Sequence, residues 1–352
     1  MDFQTRYEKL NVAQKQAVDQ LDGPVMVIAG PGTGKTELLS MRAANILRQT
    51  DVLPENILCL TFTDSGAVAM QQRLSQIIGP AAYKVAIHTF HSFGSEIINQ
   101  NGQFFYHGAQ FRPADELNSY EILREIFDEL PHHSPLASKQ NGEYTHLTTI
   151  SELKKSGLTS DELISILDAN DKVLNASEPL LAEIFASRIS KTTAEKLEQV
   201  APHVPKDSDI ALATITPLGR VLADSLAAAC DHAGESGSTK PITAWRDAWM
   251  KKSESGEFVF KTRDRQSKLR AAATVYEQYL VRMHRAQLYD YDDMILRVVH
   301  ALDVFPELRL NLQEKYQYIM VDEFQDTNLA QMRILTSLTS SSAHEGNPNI
   351  LV

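Results

Sequence analysis

The residues best suited to chemistry lie in one short run, Ala29-Gly30-Pro31-Gly32-Thr33-Gly34-Lys35-Thr36. Glycines at this spacing let backbone N–H groups turn inward around phosphate oxygens, and a helix opening here adds the positive end of its dipole. Lys35 is spaced to reach the β- and γ-phosphates of a nucleotide, and the Thr36 hydroxyl to ligate Mg²⁺. The strict pattern begins with glycine, where this chain has Ala29. The expected nucleotide contacts are Gly30, Gly32, Thr33, Gly34, Lys35 and Thr36. A turn that merely caps a helix needs no Gly-Lys-Thr triplet.

A phosphate site of this kind needs an acid at the end of a neighbouring strand. Asp322-Glu323 closes the apolar run YIMV, residues 318–321. Asp322 is placed to hold Mg²⁺ directly or through water, and Glu323 to orient or deprotonate the attacking water. Asp326, Thr327 and Asn328 read equally well as caps of the next helix.

The elements that position these residues alternate. Pro24–Gly30 (PVMVIAG), Ile57–Phe62 (ILCLTF) and Val85–Phe90 (VAIHTF) read as buried parallel strands. Helical patterns follow each, at about 36–48, 65–78 and beyond 90. From 99 to 289 the periodicity is helical, with no convincing buried strand and with loops at 131–143 and 232–241. A strand at 318–324, a helix at 329–338 and an opening strand at 350–352 restore the first pattern. The fold class is therefore α/β, a parallel sheet with helices on its faces, interrupted by a mostly helical insertion.

Composition narrows the class of protein. With 43% hydrophobic and 22% charged residues, a largely disordered chain is excluded. No apolar run approaches the ~18 residues of a membrane span, so no membrane partner is expected. The start, MDFQTRYEKL, lacks a signal-like apolar core, which predicts a cytosolic protein. Cys59 and Cys230 form no CxxC pair, against a disulfide framework or a cysteine-based zinc site. The net charge of −11 argues weakly against a nucleic-acid partner. By segment it is −1 over 1–110 (8 bases, 9 acids), −9 over 111–250 (13 and 22) and −1 over 251–352 (13 and 14). Residues 261–285 alone carry 7 bases and 2 acids, a DNA-facing surface or a solvated helix face.

The words around the phosphate site resemble those of the UvrD/Rep-like superfamily 1 DNA helicases. LNVAQKQAV (10–18) is similar to their Q-motif, AGPGTGKT (29–36) to motif I, and ILCLTFTDSGAVAMQQRL (57–74) to motif Ia. HTFHSF (88–93) is similar to motif Ib, LYDYDDMI (288–295) to a further family segment, and VDEFQDTN (321–328) to motif II. The resemblance covers both ends of the chain and hardly touches the insertion. It implies a RecA-like P-loop NTPase domain in two parts, 1–98 and 286–352, around a mostly helical inserted domain, 99–285.

The resemblance also implies roles. Gln14 would contact adenine, although Asn11 and Gln14 also fit a helix capping box. Arg42 is similar to a family arginine near the nucleotide, and Gln325 to the glutamine that couples the γ-phosphate site to DNA. Thr61, Thr63, Thr89 and His91 would meet DNA phosphates, and Phe62 would stack on a base. Phe90 and Phe93 read as core. The implied ligands are ATP, Mg²⁺ and single-stranded DNA or a single/double-strand junction. The insertion is open to a protein partner as much as to DNA.

Motif Ia departs from the family, with Asp64, Ser65 and Gly66 in place of asparagine, lysine and alanine. A base is lost and an acid gained near the phosphate track, which predicts weak DNA binding, or makes Asp64 a helix N-cap. The chain reads as shortened before motif III and the second motor domain, so it is expected to hydrolyse ATP slowly and to be unable to unwind alone. The parent would be an ATP-dependent helicase moving 3′ to 5′. Two rivals stay open: a different P-loop NTPase such as a small-molecule kinase, and a non-motor, helicase-like scaffold subunit of a repair nuclease.

Overall fold

The computed structural model describes residues 3–30, 32–105, 111–136, 143–206, 215–341 and 346–352. Pro31 and parts of the expected loop at 131–143 lie outside the described residues.

The chain opens with α1 (Phe3–Glu8), α2 (Val12–Asp19) and α3 (Lys35–Gln49), then β1 (Ile57–Thr61), α4 (Asp64–Ile78), β2 (Ala86–Thr89) and α5 (Phe90–Gln100). Its middle runs through β3 (Arg112–Pro113), α6 (Glu116–Asp128), α7 (Glu143–Lys155), α8 (Ser160–Phe185), α9 (Lys191–Val200), α10 (Leu218–Ser236), α11 (Lys240–Trp249), β4 (Met250–Lys252), β5 (Phe258–Phe260) and α12 (Thr262–Arg285). It closes with β6 (Leu288–Tyr289), α13 (Tyr291–Val304), α14 (Pro306–Lys315), β7 (Tyr318–Val321), α15 (Leu329–Thr339) and β8 (Ile350–Leu351).

β2, β1, β7 and β8 form one parallel sheet in that order. Parallel strands need covering helices on both faces, and successive residues point to opposite faces. Leu58, Leu60, Ile319 and Val321 enter one core, covered by α5, α13, α14 and α15. Ile57, Cys59, Tyr318 and Met320 enter a second core, covered by α1–α4. Burial of β1 and β7 is continuous, which is why their sequences read as unbroken apolar runs.

The run Pro24–Gly30 differs from its expected form. It lies extended beside β8, with Val25 N–H donating to Ile350 O and Val27 N–H to Val352 O, but it makes only an isolated bridge. Val25 and Val27 face the second core, while Met26 and Ile28 are 70% and 95% exposed. Alternation has left half of an apolar run on a surface that pairs with no strand among the described residues.

The chain divides into two compact units. One comprises 1–118, 151–157 and 283–352, the other 119–150 and 158–282. The expected insertion was 99–285. The short return at 151–157 has no signature in periodicity, because it is a single helical turn and its exit.

The second unit is built on α8, α10 and α11, with Leu174, Leu181, Phe185, Leu222, Leu226, Ile242 and Trp245 in its core. Antiparallel β4 and β5 close it through buried Met250 and Phe260. That hairpin was not foreseen, since three-residue strands are too short to show alternation. The expected loop at 232–241 shrinks to 237–239, because α10 continues to Ser236 and stops at Gly237, whose φ of +61° suits a left-handed cap.

The basic stretch also resolves within this unit. Arg263 pairs with Glu178, Arg270 with Asp168 and Asp171, and Arg282 with Glu125 and Glu129. Three of the seven bases over 261–285 are thus paired with acids of the same unit. Among the described residues no helix is long and apolar enough to cross a membrane.

Candidate functional site

The glycine loop takes the shape its sequence demands. Gly32 and Gly34 have φ of +75° and +85°, a region side chains disfavour, and Gly34 is the N-cap of α3. Lys35 and Thr36 therefore open the helix, beside an open cavity of about 1030 Å³ lined by Gln14, Gly30, Thr33, Gly34 and Lys35 among others. A second recess of about 270 Å³ is lined by Lys35, Asp322, Glu323 and Gln325.

Register brings the acids to the same place. Leu60 pairs with Val321 and Thr61 with Thr89, so Asp322 stands level with both threonines at the C-terminal edge of the sheet. Ligands of open α/β sheets bind at this edge. Asp322 N–H donates to Leu60 O at 2.8 Å, extending the ladder one residue past β7. Glu323 then turns into left-handed backbone, φ +52° and ψ +43°. A non-glycine residue held there stores strain, which is found disproportionately at functional sites. Lys35 Nζ donates to Glu323 Oε2 at 3.0 Å, and Gln325 Nε2 donates to the same oxygen at 2.6 Å.

These contacts push the two acids apart. Burial and the neighbouring Glu323 charge raise the Asp322 pKa, against the opposing pull of Lys35 and the Thr36 hydroxyl. Hydrogen bonds from Gln325 and Lys35 lower that of Glu323. Asp322 and Thr36 thus meet as one carboxylate and one hydroxyl, a hard-oxygen pair suited to Mg²⁺ that is shared with phosphates. Among the described residues no group of three or more His, Cys, Asp or Glu side chains gathers as a metal site.

Gln14 serves both α2 and the loop. Its Oε1 accepts from Asn11 N–H at 3.0 Å, closing the capping box of α2, and its Nε2 donates to Thr33 O at 3.0 Å. Arg42 is held inside the fold. Seven residues beyond Lys35, it lies about 10 Å further along the helix axis and is 1% exposed. Its guanidinium donates to the carbonyls of Ala17, Gln20 and Leu21, tying α2 to α3, and burial lowers its pKa to about 10. Arg42 does not itself line the cavity, although Ala17 and Gln20, whose carbonyls it holds, do. Asn328, of the three candidates, is the N-cap of α15.

The five residues expected on DNA share the sheet edge but not its exposure. Phe62 is 55% exposed, whereas Thr61 and Thr89 are 3% and 7% exposed. Thr89 and Thr63 are the N-caps of α5 and α4, their hydroxyls accepting from Ser92 N–H and Gly66 N–H. Thr63, not Asp64, is therefore the cap. Gly66 has a reason of its own: a Cβ there would stand 2.5 Å from Thr61 Oγ1. Phe90 and Phe93 are core.

One residue escaped sequence reasoning. Tyr291, the first residue of α13, is 74% exposed and meets the His91 ring edge-on, centroids 6.0 Å apart and planes at 86°. The His91–Tyr291 pair lies at the start of α5, directly after β2, and Phe62 follows β1, the strand beside it. The signal was an aromatic inside the acidic word LYDYDDMI, directly after the N-cap Asp290.

A parallel α/β sheet that carries a glycine loop, its lysine and two acids on one edge defines a nucleotide-site class of protein. Within it, the model of the UvrD/REP helicase N-terminal domain matches residues 10–352, and the chain belongs to that family. DNA helicase II of Rickettsia typhi is 28% identical over 342 residues, 96% of this chain and 37% of the relative. ATP-dependent DNA helicase PcrA of Staphylococcus aureus is 24% identical, and that of Bacillus subtilis 25%, each over 94% of this chain and 32% and 31% of the relative. The chain spans about a third of the length of the curated relatives it matches.

Proposed function

We propose that this chain is the ATP-binding portion of an ATP-dependent DNA helicase, a RecA-like motor half that binds ATP–Mg²⁺ and single-stranded DNA. The observation that carries the reading is the meeting of Lys35 with Glu323, and of Thr36 with Asp322, at one sheet edge. Lys35 leaves Glu323 for the γ-phosphate when nucleotide enters, which frees that carboxylate to orient the attacking water. Gln325 stays on Glu323 and relays its position. Thr36 and Asp322 would hold Mg²⁺, which supplies charge neutralisation along the phosphates when bound.

DNA lies along the same edge, with Phe62, His91 and Tyr291 offering sequence-blind stacking and the N-caps at Thr63 and Thr89 shaping the track. Movement is 3′ to 5′, as the family resemblance implies. This chain alone is expected not to unwind DNA. The decisive test is steady-state ATPase activity with and without single-stranded DNA, in wild type and Lys35→Ala. DNA-stimulated turnover that the variant lacks upholds the reading. Turnover indifferent to DNA favours another P-loop NTPase, and binding of DNA without any turnover favours a scaffold.

A further inference from the structure

An acid directly follows the phosphate loop. Glu37 is the third residue of α3, and its Cβ stands 4.0 Å from where a side chain on Gly34 would begin. A carboxylate in a first turn is drawn to the positive end of the helix dipole, the same charge that the loop offers to phosphate oxygens. Left ionised and unpaired, it competes with a triphosphate for that charge and repels it.

The structure supplies a cation for it from another element. Arg6 on α1 donates from Nη1 to Glu37 Oε1 at 2.8 Å and from Nη2 to Gln76 Oε1 at 2.7 Å on α4. The two charged side chains are 17% and 30% exposed, so water screens the pair less than it screens a surface bridge. α1 is itself anchored: Phe3 is buried, with Arg48 4.2 Å from its ring centroid. Arg6 Nε is buried without a hydrogen-bond partner, a cost that the two Nη contacts offset. Neither Arg6 nor Glu37 lines the large cavity. Arg6 also precedes the residues matched by the family, 10–352.

We propose that Arg6 is a positioning residue for the nucleotide: it holds the Glu37 carboxylate out of the cavity and cancels its charge, leaving the N-terminus of α3 to the phosphates. The inference rests on reading the cavity as an ATP site. The test titrates the full chain with mant-ATP and mant-ADP in Mg²⁺, as wild type, Arg6→Gln, Glu37→Gln and the double variant, with a thermal melt of each. Arg6→Gln is expected to weaken mant-ATP about three- to tenfold, to weaken mant-ADP less, and to lose less as salt rises from about 0.05 to about 0.5 M. Glu37→Gln binds at least as tightly as wild type, and the double variant returns to within about twofold of it, by the same charge logic.

Unchanged mant-ATP affinity in a folded Arg6→Gln chain overturns the proposal. So does an equal loss for both nucleotides that Glu37→Gln fails to restore, since that marks a purely structural role. If Arg6→Gln does not fold, Glu37→Gln decides alone: weaker mant-ATP binding overturns the proposal, and equal or tighter binding upholds it. A wild-type chain that binds neither nucleotide overturns the ATP reading itself, and this inference with it.

Discussion

Lys35 Nζ lies 3.0 Å from Glu323 Oε2, so the lysine of the glycine loop and the second acid of the strand end form one ion pair across 288 positions of sequence. Hydrogen bonds from Gln325 and Lys35 favour the charged form of Glu323 at the place where a γ-phosphate and its attacking water would stand. Glu323→Gln keeps the shape and removes the base. It is expected to slow ATP hydrolysis about 100-fold or more with nucleotide affinity kept, measured by single-turnover hydrolysis beside a binding titration. Equal hydrolysis by wild type and variant would remove Glu323 from the mechanism.

Asp322 has the opposite bias. Its pKa in the folded chain is raised by burial and by Glu323, so its proton favours the folded state. The stability linked to it is fully present below the ordinary aspartate range and is lost as pH rises through the raised value. At neutral pH the carboxylate is therefore a cost that Mg²⁺ binding relieves. Asp322→Asn should melt at or above the wild-type temperature at pH 7 without Mg²⁺, should lose that advantage in acid, and should lose Mg²⁺-dependent turnover. A marked drop in melting temperature at pH 7 would contradict the sign.

Phe62 and Tyr291 expose aromatic faces beside the sheet edge. Replacing either with alanine is expected to weaken single-stranded DNA binding by about 1–3 kcal/mol. Neither change removes a charge, so the salt dependence of binding should keep its slope. Fluorescence anisotropy on a labelled oligothymidine at several salt concentrations checks both parts.

Lys154 is 1% exposed, with its Nζ 2.5 Å from Asp290 Oδ2 and 2.7 Å from Asp293 Oδ1. Asp290 is also the N-cap of α13, bonded reciprocally with Asp293. Lys154→Met strands two acids, one of them buried, and should cost about 3–5 kcal/mol in denaturant unfolding. Adding Asp293→Asn should recover part of the loss, because the buried charge is then gone. A single variant as stable as wild type would show that the ion pair contributes nothing.

Much of the architecture was legible along the chain, because it is encoded by local patterns. The glycine loop demanded left-handed backbone at Gly32 and Gly34, and continuous apolar runs marked β1 and β7 as strands covered on both faces. Boundaries moved where short elements carry no period, as in β4, β5 and the return at 151–157. The same locality explains the candidate site. Lys35, Thr36, Asp322 and Glu323 were readable because loop, strand end and spacing demand those residue types.

What the sequence by itself determined is which residues head strands, open helices and carry charge. Only the tertiary structure decided where each charge is used. Arg42 and Arg6 are both arginines near the phosphate loop, yet one is sunk into carbonyls of α2 and the following turn while the other is drawn to Glu37. Arg263, Arg270 and Arg282 of α12 met acids of the same unit, and Tyr291 met His91 200 residues away in sequence. A residue's type states what it can donate, accept or neutralise. Its partner is set by packing, which brings distant segments within a few ångströms and excludes the water that would otherwise have served them all.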